Sequence, residues 1–198
     1  MPSPINTLAD LKRLDAGDGL VMRPLRMYHG EEVFSAVRDN RESLAKWLPW
    51  PDAVQYLSDT RDFIRTAMEQ QADGAVLQLG IWADGVFAGG IGLHGVDWDN
   101  RRTSLGYWLG AHARGRGVMT ACARTLTDFA LCDLKLNRVE MRCAEENLAS
   151  RAVPERLGYA QEDTTRDDMV VGGKYLDCVV YAALALKWWC GGVKGVVP

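Results

Sequence analysis

The chain has 198 residues, 47% of them hydrophobic and 25% charged, and a formal net charge of −3. That is enough for one domain with a core that needs no disulfides, and the charge leaves no general basic field for nucleic acid. The longest apolar run, residues 178–186, is too short to span a bilayer, and no basic segment followed by an apolar core marks a secretion signal at the N-terminus.

Residues 1–18 are polar with two prolines and admit a short helix from Leu8 to Leu14. Gly19 to Leu25 reads as a first strand closed by Pro24. His29 to Arg38 reads as a helix with Val33, Phe34 and Val37 on one face, and Leu44 to Pro51 as a loop rich in Trp and Pro. Leu57, Ile64, Ala67, Met68 and Gln71 recur at helical spacing, so residues 55–72 are predicted helical, with Asp52 or Ser58 as cap. Strands over 75–83 and 86–96 flank the hairpin turn Asp84-Gly85, and a further strand runs from Thr103 to Leu109. A helix from Gly117 to about Asp133 carries Val118, Cys122, Leu126, Phe129 and Ala130 as an apolar stripe. A strand over 137–144, a helix over 150–157 ended by Gly158, and two strands over 159–169 and 174–186 complete the order; the tail from Gly191 to Pro198 is expected to fray. Early hairpins imply antiparallel pairing, and the strand–helix–strand unit over 103–144 demands a parallel pair. No repeat or linker divides the chain, so residues 1–198 are read as one domain with its core at about 19–187.

The stretch Arg114-Gly115-Arg116-Gly117-Val118-Met119 joins a strand to a helix. Such a turn leaves several N–H groups unpaired at the positive end of the helix dipole, and its glycines let a ligand approach the backbone, so it is a candidate anion site for phosphate. A plain connecting turn is the structural alternative. No Lys-Ser or Lys-Thr follows, which argues against a nucleoside-triphosphate loop. A dinucleotide fingerprint fits poorly, with no third glycine and only Glu140 at about the distance of the expected acid.

A second phrase, residues 147–159, runs Asn147-Leu-Ala-Ser150 through Leu157-Gly158-Tyr159. The Arg-Gly-x-Gly turn followed by Asn-x-x-Ser and Leu-Gly-Tyr resembles the GNAT N-acetyltransferase superfamily, in its branch of ribosomal-protein-serine acetyltransferases. Trp47-Leu48-Pro49-Trp50, Gly106-Tyr107-Trp108-Leu109, Asn137-Arg138-Val139-Glu140 and Asp177-x-x-x-Tyr181 agree, and the likeness covers roughly residues 19–187. It implies an α/β (α+β) fold: a mixed, mostly antiparallel sheet of about seven strands, with a central parallel pair that splays and flanking helices. It also implies acetyl-CoA as co-substrate, with its diphosphate on the amides of residues 114–119 and charge added by Arg114 and Arg116. The pantetheine arm would pair with the backbone of Tyr107, Trp108 and Leu109, near the Asn147 side chain. Met119 departs from the Gly or Ala usual there.

In the same likeness Ser150 would protonate the leaving thiolate, in a branch that lacks the tyrosine other relatives place near Pro154; Ser150 could equally cap the following helix. Glu162 matches the proposed base, and a solvated surface glutamate is the plainer reading. Trp47, Trp50, His94, Asp177 and Tyr181 are the candidates for the acceptor site, with His94 also a reserve base. The five cysteines are odd in number and form no Cys-x-x-Cys, so no disulfide framework and no metal site is expected, and free thiols suit the cytoplasm. Transfer is expected to be direct, to an amine: the N-terminal α-amine of a ribosomal protein, with a small-molecule amine or a non-catalytic acyl-CoA-binding module as alternatives. Neither nucleic acid nor membrane is an expected partner, and Trp188 and Trp189 suggest a homodimer.

Overall fold

The computed structural model describes residues 8–189 and 196–197. Its strands are β1 (Arg13–Gly17), β2 (Leu20–Pro24), β3 (Leu77–Ala83), β4 (Val86–Asp97), β5 (Arg102–Leu109), β6 (Arg138–Ala144), β7 (Ala160–Val171), β8 (Lys174–Leu184) and β9 (Val196–Val197). Its α-helices are α1 (Gly30–Leu44), α2 (Leu57–Ala72), α3 (Val118–Asp128) and α4 (Leu148–Leu157). One nine-stranded sheet holds all the strands, in the order β7-β8-β6-β5-β4-β3-β2-β1-β9. Every neighbouring pair is antiparallel except β5–β6. That exception follows from α3, which lifts the chain over the sheet and returns it in the same direction.

Side chains alternate across the sheet. Leu77, Leu79 and Ile81 of β3 join the larger core with Cys122, Leu126 and Phe129 of α3 and its continuation. Trp82 of the same strand joins Leu25, Val33, Val37, Ile64 and Phe87 in a second core under α1 and α2. The sheet therefore has a helical layer on each face, and this divides the site described below into two halves.

The structure differs from expectation in several places. Only residues 8 and 9 of the expected first helix are helical, and the chain is in β1 by Arg13, where the sheet edge of β2 recruits it. Nine strands form rather than about seven, because β1 and the two-residue β9 extend that edge. Val196 and Val197 thus pair with β1, while the rest of the tail lies outside the described residues. Neither Asp52 nor Ser58 caps α2; the Asp59 carboxylate does, accepting from the amides of Gln55 and Tyr56 at 2.9 and 2.8 Å. α3 ends at Asp128 and runs into a wider π turn over Phe129–Asp133. Cys122, Cys143 and Cys178 are free and buried, whereas Cys132 is disulfide-bonded, contrary to the expectation of free thiols throughout. Trp188 turns inward, its Nε1 donating to Asp128 Oδ1 at 2.6 Å and its ring meeting Tyr159 edge-on, while Trp189 is exposed.

Candidate active site

β5 and β6 pair only at Arg102–Arg138, Thr103–Val139 and Ser104–Glu140. Beyond Ser104 the strands part. A cavity of about 290 Å³ lies in the gap, lined by Leu105–Leu109 of β5, Arg142–Ala144 of β6, Asn147 and Ser150 of α4, and Arg114 and Met119 of the turn. A splayed parallel pair leaves strand-edge backbone groups on β5 free to pair with an extended ligand arm.

At the mouth of this gap Gly115 and Gly117 have φ of +72° and +77°, and a Cβ built on either would meet nothing within 4 Å. Gly117 is the N-cap of α3, with no side chain capping it and no acid in the first turn. The first-turn amides therefore keep their donors, and the approach to them is open. Arg114 turns back, its guanidinium donating to the Leu109 carbonyl at 3.0 and 3.2 Å and to Ser43 Oγ at 3.0 Å. Arg116 lies 3.8 Å from the Asp84 carboxylate, outside the gap. Val118 and Met119 are buried, and Met119 forms part of the floor.

Across the gap, three side chains from three elements converge. Ser150 Oγ lies 3.3 Å from both Tyr107 Oη and Cys143 Sγ, and its single proton serves one of them at a time. Tyr107 Oη donates to the Ser150 carbonyl at 2.9 Å. Pro154 accounts for that last bond. It sits inside α4 and has no N–H to give to the carbonyl four residues back, so the Ser150 oxygen is open to the tyrosine. Burial pushes the Tyr107 phenol well above its ordinary range and the Cys143 thiol upward too. All three groups are held protonated at neutral pH. The cap of α4 is Asn147, whose Oδ1 accepts from Ser150 N at 3.1 Å. Ser150 is thus the third residue of the helix and its hydroxyl faces the gap.

A second cavity, about 540 Å³, lies on the α1–α2 side. Leu48, Gly106, Tyr107 and Trp108 line both cavities, so the two meet along β5. Glycines clear this strip of the sheet of side chains. A Cβ on Gly90 would come within 2.6 Å of the Trp108 indole, and one on Gly92 or Gly106 would meet the His94 ring at 3.2 or 3.4 Å. His94 stands open to the second cavity yet crowded by protein, and desolvation lowers its pKa below the ordinary 6.5, so its ring is neutral at pH 7. The two loop tryptophans divide. Trp47 lines the first cavity and Trp50 the second, where it meets Trp108 edge-on at 5.9 Å.

Three expected residues lie elsewhere. Glu162 is paired with Arg138 through both carboxylate oxygens, at 3.0 and 2.7 Å, and lines neither cavity. The Arg138 guanidinium holds its carboxyl below the usual range. Arg138 is five residues before Cys143 on β6, about 16 Å at 3.3 Å per residue. Tyr181 is buried beneath α4, donating to Glu155 at 2.6 Å and accepting from Arg151 at 3.0 Å. Asp177 accepts from the Asp167 amide at 2.9 Å and steadies an irregularity of β7. Alternation on β8 does place Asp177 and Tyr181 on one face, but it is the face under α4. Conversely, Cys143 and Thr60 line cavities without having been singled out as site residues. The glycines of Gly89-Gly90-Ile91-Gly92 were the available signal for a cleared strip on β4.

Among the described residues, no helix is long and apolar enough to cross a membrane and no group of His, Cys, Asp or Glu could hold a metal. Residues 19–160 match the family model described as acetyltransferase (GNAT) domain. The chain is 34% identical over 170 residues to the "Putative ribosomal N-acetyltransferase YdaF" of Bacillus subtilis (strain 168), covering 85% of this chain and 93% of that protein. A crystal structure described as a probable acetyltransferase superposes with a TM-score of 0.85 at 33% identity, over 89% of this chain and 98% of that one. RimL, a ribosomal L7/L12 alpha-N-protein acetyltransferase solved with coenzyme A, shares the fold with a TM-score of 0.85 at 22% identity, over 87% and 98% of the two chains.

Proposed function

The chain belongs to the GNAT acetyltransferase family, and on that premise we propose that it acetylates the N-terminal α-amine of a protein, a ribosomal protein by likeness to its relatives. It is an acetyl-CoA-dependent N-acetyltransferase. The observation that carries the reading is the pairing of β5 and β6, which stops at Ser104 and opens toward the Gly117-capped helix.

When bound, acetyl-CoA supplies an activated acyl thioester. The residues present fit it. The open glycine turn presents main-chain donors for a diphosphate, and the free edge of β5 at Tyr107–Leu109 accepts an extended arm. Asn147 contributes its Nδ2 to the gap, since its Oδ1 is used in capping. Arg114 is a reserve of positive charge at the mouth once it lets go of the Leu109 carbonyl.

The acceptor amine enters from the second cavity, past Trp50, and meets the first along Gly106–Trp108. It must lose a proton, and His94 is the neutral base that faces this cavity. Glu162 has a guanidinium, not an amine, within reach. Ser150 Oγ is the proton donor for the leaving sulfur, set in place by Tyr107 and by the Asn147 cap. No group here is an activated nucleophile, because Cys143 is buried with its pKa raised, so transfer is direct. Mass spectrometry of protein N-termini from cells with and without the gene tests the acceptor: the reading expects N-terminal acetylation to disappear from a ribosomal protein in its absence. An unchanged set of acetylated N-termini would remove the protein acceptor and leave the transferase.

A further inference from the structure

The second cavity has walls that are almost all apolar, among them Leu25, Val33, Phe63 and Phe87. Few groups of its lining are free to accept a hydrogen bond from an amine. Asp59 and Tyr107, the titratable residues there besides His94, are both engaged. The Asp59 carboxylate accepts the amides of Gln55 and Tyr56 ahead of α2. The Tyr107 hydroxyl is taken up by Ser150, on the side of the first cavity. Thr60 Oγ1 is buried out of reach, and the Trp108 indole nitrogen can only donate. Gln78 and His94 remain, and among the described residues neither side chain has a hydrogen-bond partner.

These two side chains meet over a gap that glycine keeps clear. Gln78, Gly92 and Gly106 stand opposite one another on β3, β4 and β5, in one row that ends where the two cavities meet. A Cβ on Gly92 would come within 2.8 Å of Gln78 Oε1 and 3.2 Å of His94 Nε2. Those two atoms are therefore no more than about 6 Å apart, the sum of the two distances. A tetrahedral nitrogen that gives one N–H to each of two acceptors at about 2.9 Å holds them about 4.7 Å apart, within that limit.

We propose that Gln78 Oε1 and His94 Nε2 together hold the acceptor nitrogen, and that the site therefore takes primary amines. The inference rests on the acetyltransferase reading and adds a binding residue to it. A neutral primary amine turns its lone pair to the acyl carbon and has two N–H groups left, one for each acceptor. As the N–C bond forms and the C–S bond breaks, the proton facing His94 goes to its Nε2. The sulfur leaves with the proton of Ser150, which solvent restores as His94 gives its own up. The N–H facing Gln78 stays on the new amide. A secondary amine has one N–H; His94 takes it, and Gln78 is left unpaired against an alkyl group, which is costly in an apolar cavity.

Three amines (a peptide with an amino-terminal serine, glycinamide and tyramine), each paired with its N-methyl form, are assayed by CoA release. In every pair that reacts, the primary amine is expected to exceed the methylated one in kcat/KM by tenfold or more. In Gln78→Leu, which removes the oxygen at similar size, kcat/KM for the primary amine falls at least tenfold and the ratio within the pair falls to about one. Thermal melting checks this variant, which trades an unpaired amide for an apolar side chain and is expected to melt no lower than the parent. Gln78→Glu keeps an acceptor oxygen and is expected to hold the primary-amine rate within about threefold above the acid limb. Its charge, close to His94, moves that limb to higher pH. An unaltered ratio in Gln78→Leu, an equal loss in both variants, or a limb that stays in place in Gln78→Glu overturns the proposal while leaving the transferase intact. Should no amine be acetylated, the transferase reading fails, and binding decides the pair separately. Serinamide shifting the His94 ring signals in NMR at a tenfold lower concentration in the parent than in Gln78→Leu supports it, and equal concentrations overturn it.

Discussion

Ser150 and His94 sit on opposite sides of β5, and in the proposed reaction each moves one proton. Ser150→Ala removes the hydroxyl shared with Tyr107 and Cys143 but not the Asn147 cap, which uses the backbone. Calorimetry should therefore find CoA binding little altered, while kcat falls roughly a hundredfold, the scale of a lost general acid. Unchanged turnover would return Ser150 to a structural role. His94 makes a prediction with a sign. Its folded pKa lies below 6.5, so the neutral base is present at pH 7 and is lost only as pH falls through that lowered value. The acid limb of kcat/KM should lie below pH 6.5, and His94→Gln should abolish the limb along with about a hundredfold of the rate. The same depression means the unfolded chain binds the proton first, so this residue's contribution to stability declines as pH falls from 6.5 through the folded pKa. A limb that survives the substitution would assign the base elsewhere.

At the level of elements, α4 shows how the local sequence builds the site. Asn147 caps it, Ser150 faces inward one turn later, and Pro154 frees the carbonyl that Tyr107 takes. Asn147→Ala should cost about 1 kcal/mol in urea unfolding, and because the cap bonds Ser150 N it should lower kcat as well. A stability loss with full activity would separate the cap from the chemistry. The phrase Asn147-x-x-Ser150 was legible in sequence, but it offered the serine as either cap or proton donor and did not show Asn147 as the cap, because helix starts are uncertain by a residue or two. The glycine turn and the β5–α3–β6 crossover were legible for firmer reasons, namely punctuation and a forced parallel pair, whereas of the two tryptophans expected at the acceptor site only Trp50 lines the second cavity and Trp47 lines the first. Tyr181 was not legible, because alternation says which residues share a face and not which helix covers it, and Glu162 was expected from the resemblance alone, which does not reveal its pairing with Arg138. For Glu162→Gln the expected change in turnover is under twofold, with only the loss of a half-exposed ion pair to Arg138, worth about 0–1 kcal/mol. A hundredfold loss would place its carboxylate in the reaction despite that pairing.

Across the described residues, a sheet with helices on both faces holds two cavities that meet along Gly106–Trp108, with Leu48 lining both. One opening is made by strands parting, the other by glycines clearing a strip that α1 and α2 roof over. Neither needs a large motion for its ligand to enter, so binding should show as stabilisation of the existing fold. CoA at a hundred times its Kd would add about 2.7 kcal/mol. For a domain of this length each kcal/mol raises Tm by roughly 2–4 °C, so a rise of roughly 5–11 °C is expected in a thermal melt. Pantetheine, which lacks the diphosphate, should raise Tm much less at the same concentration, because it leaves the amides ahead of α3 unmet. Gly117→Val should remove most of the CoA shift: it places a branched side chain at φ +77° and fills the open approach to those amides. Its own Tm should fall by only a few degrees, since Gly117 is exposed and touches no core residue. A full CoA shift in Gly117→Val, or an equal shift with pantetheine, would move the diphosphate away from this turn and take the arrangement of the first cavity with it.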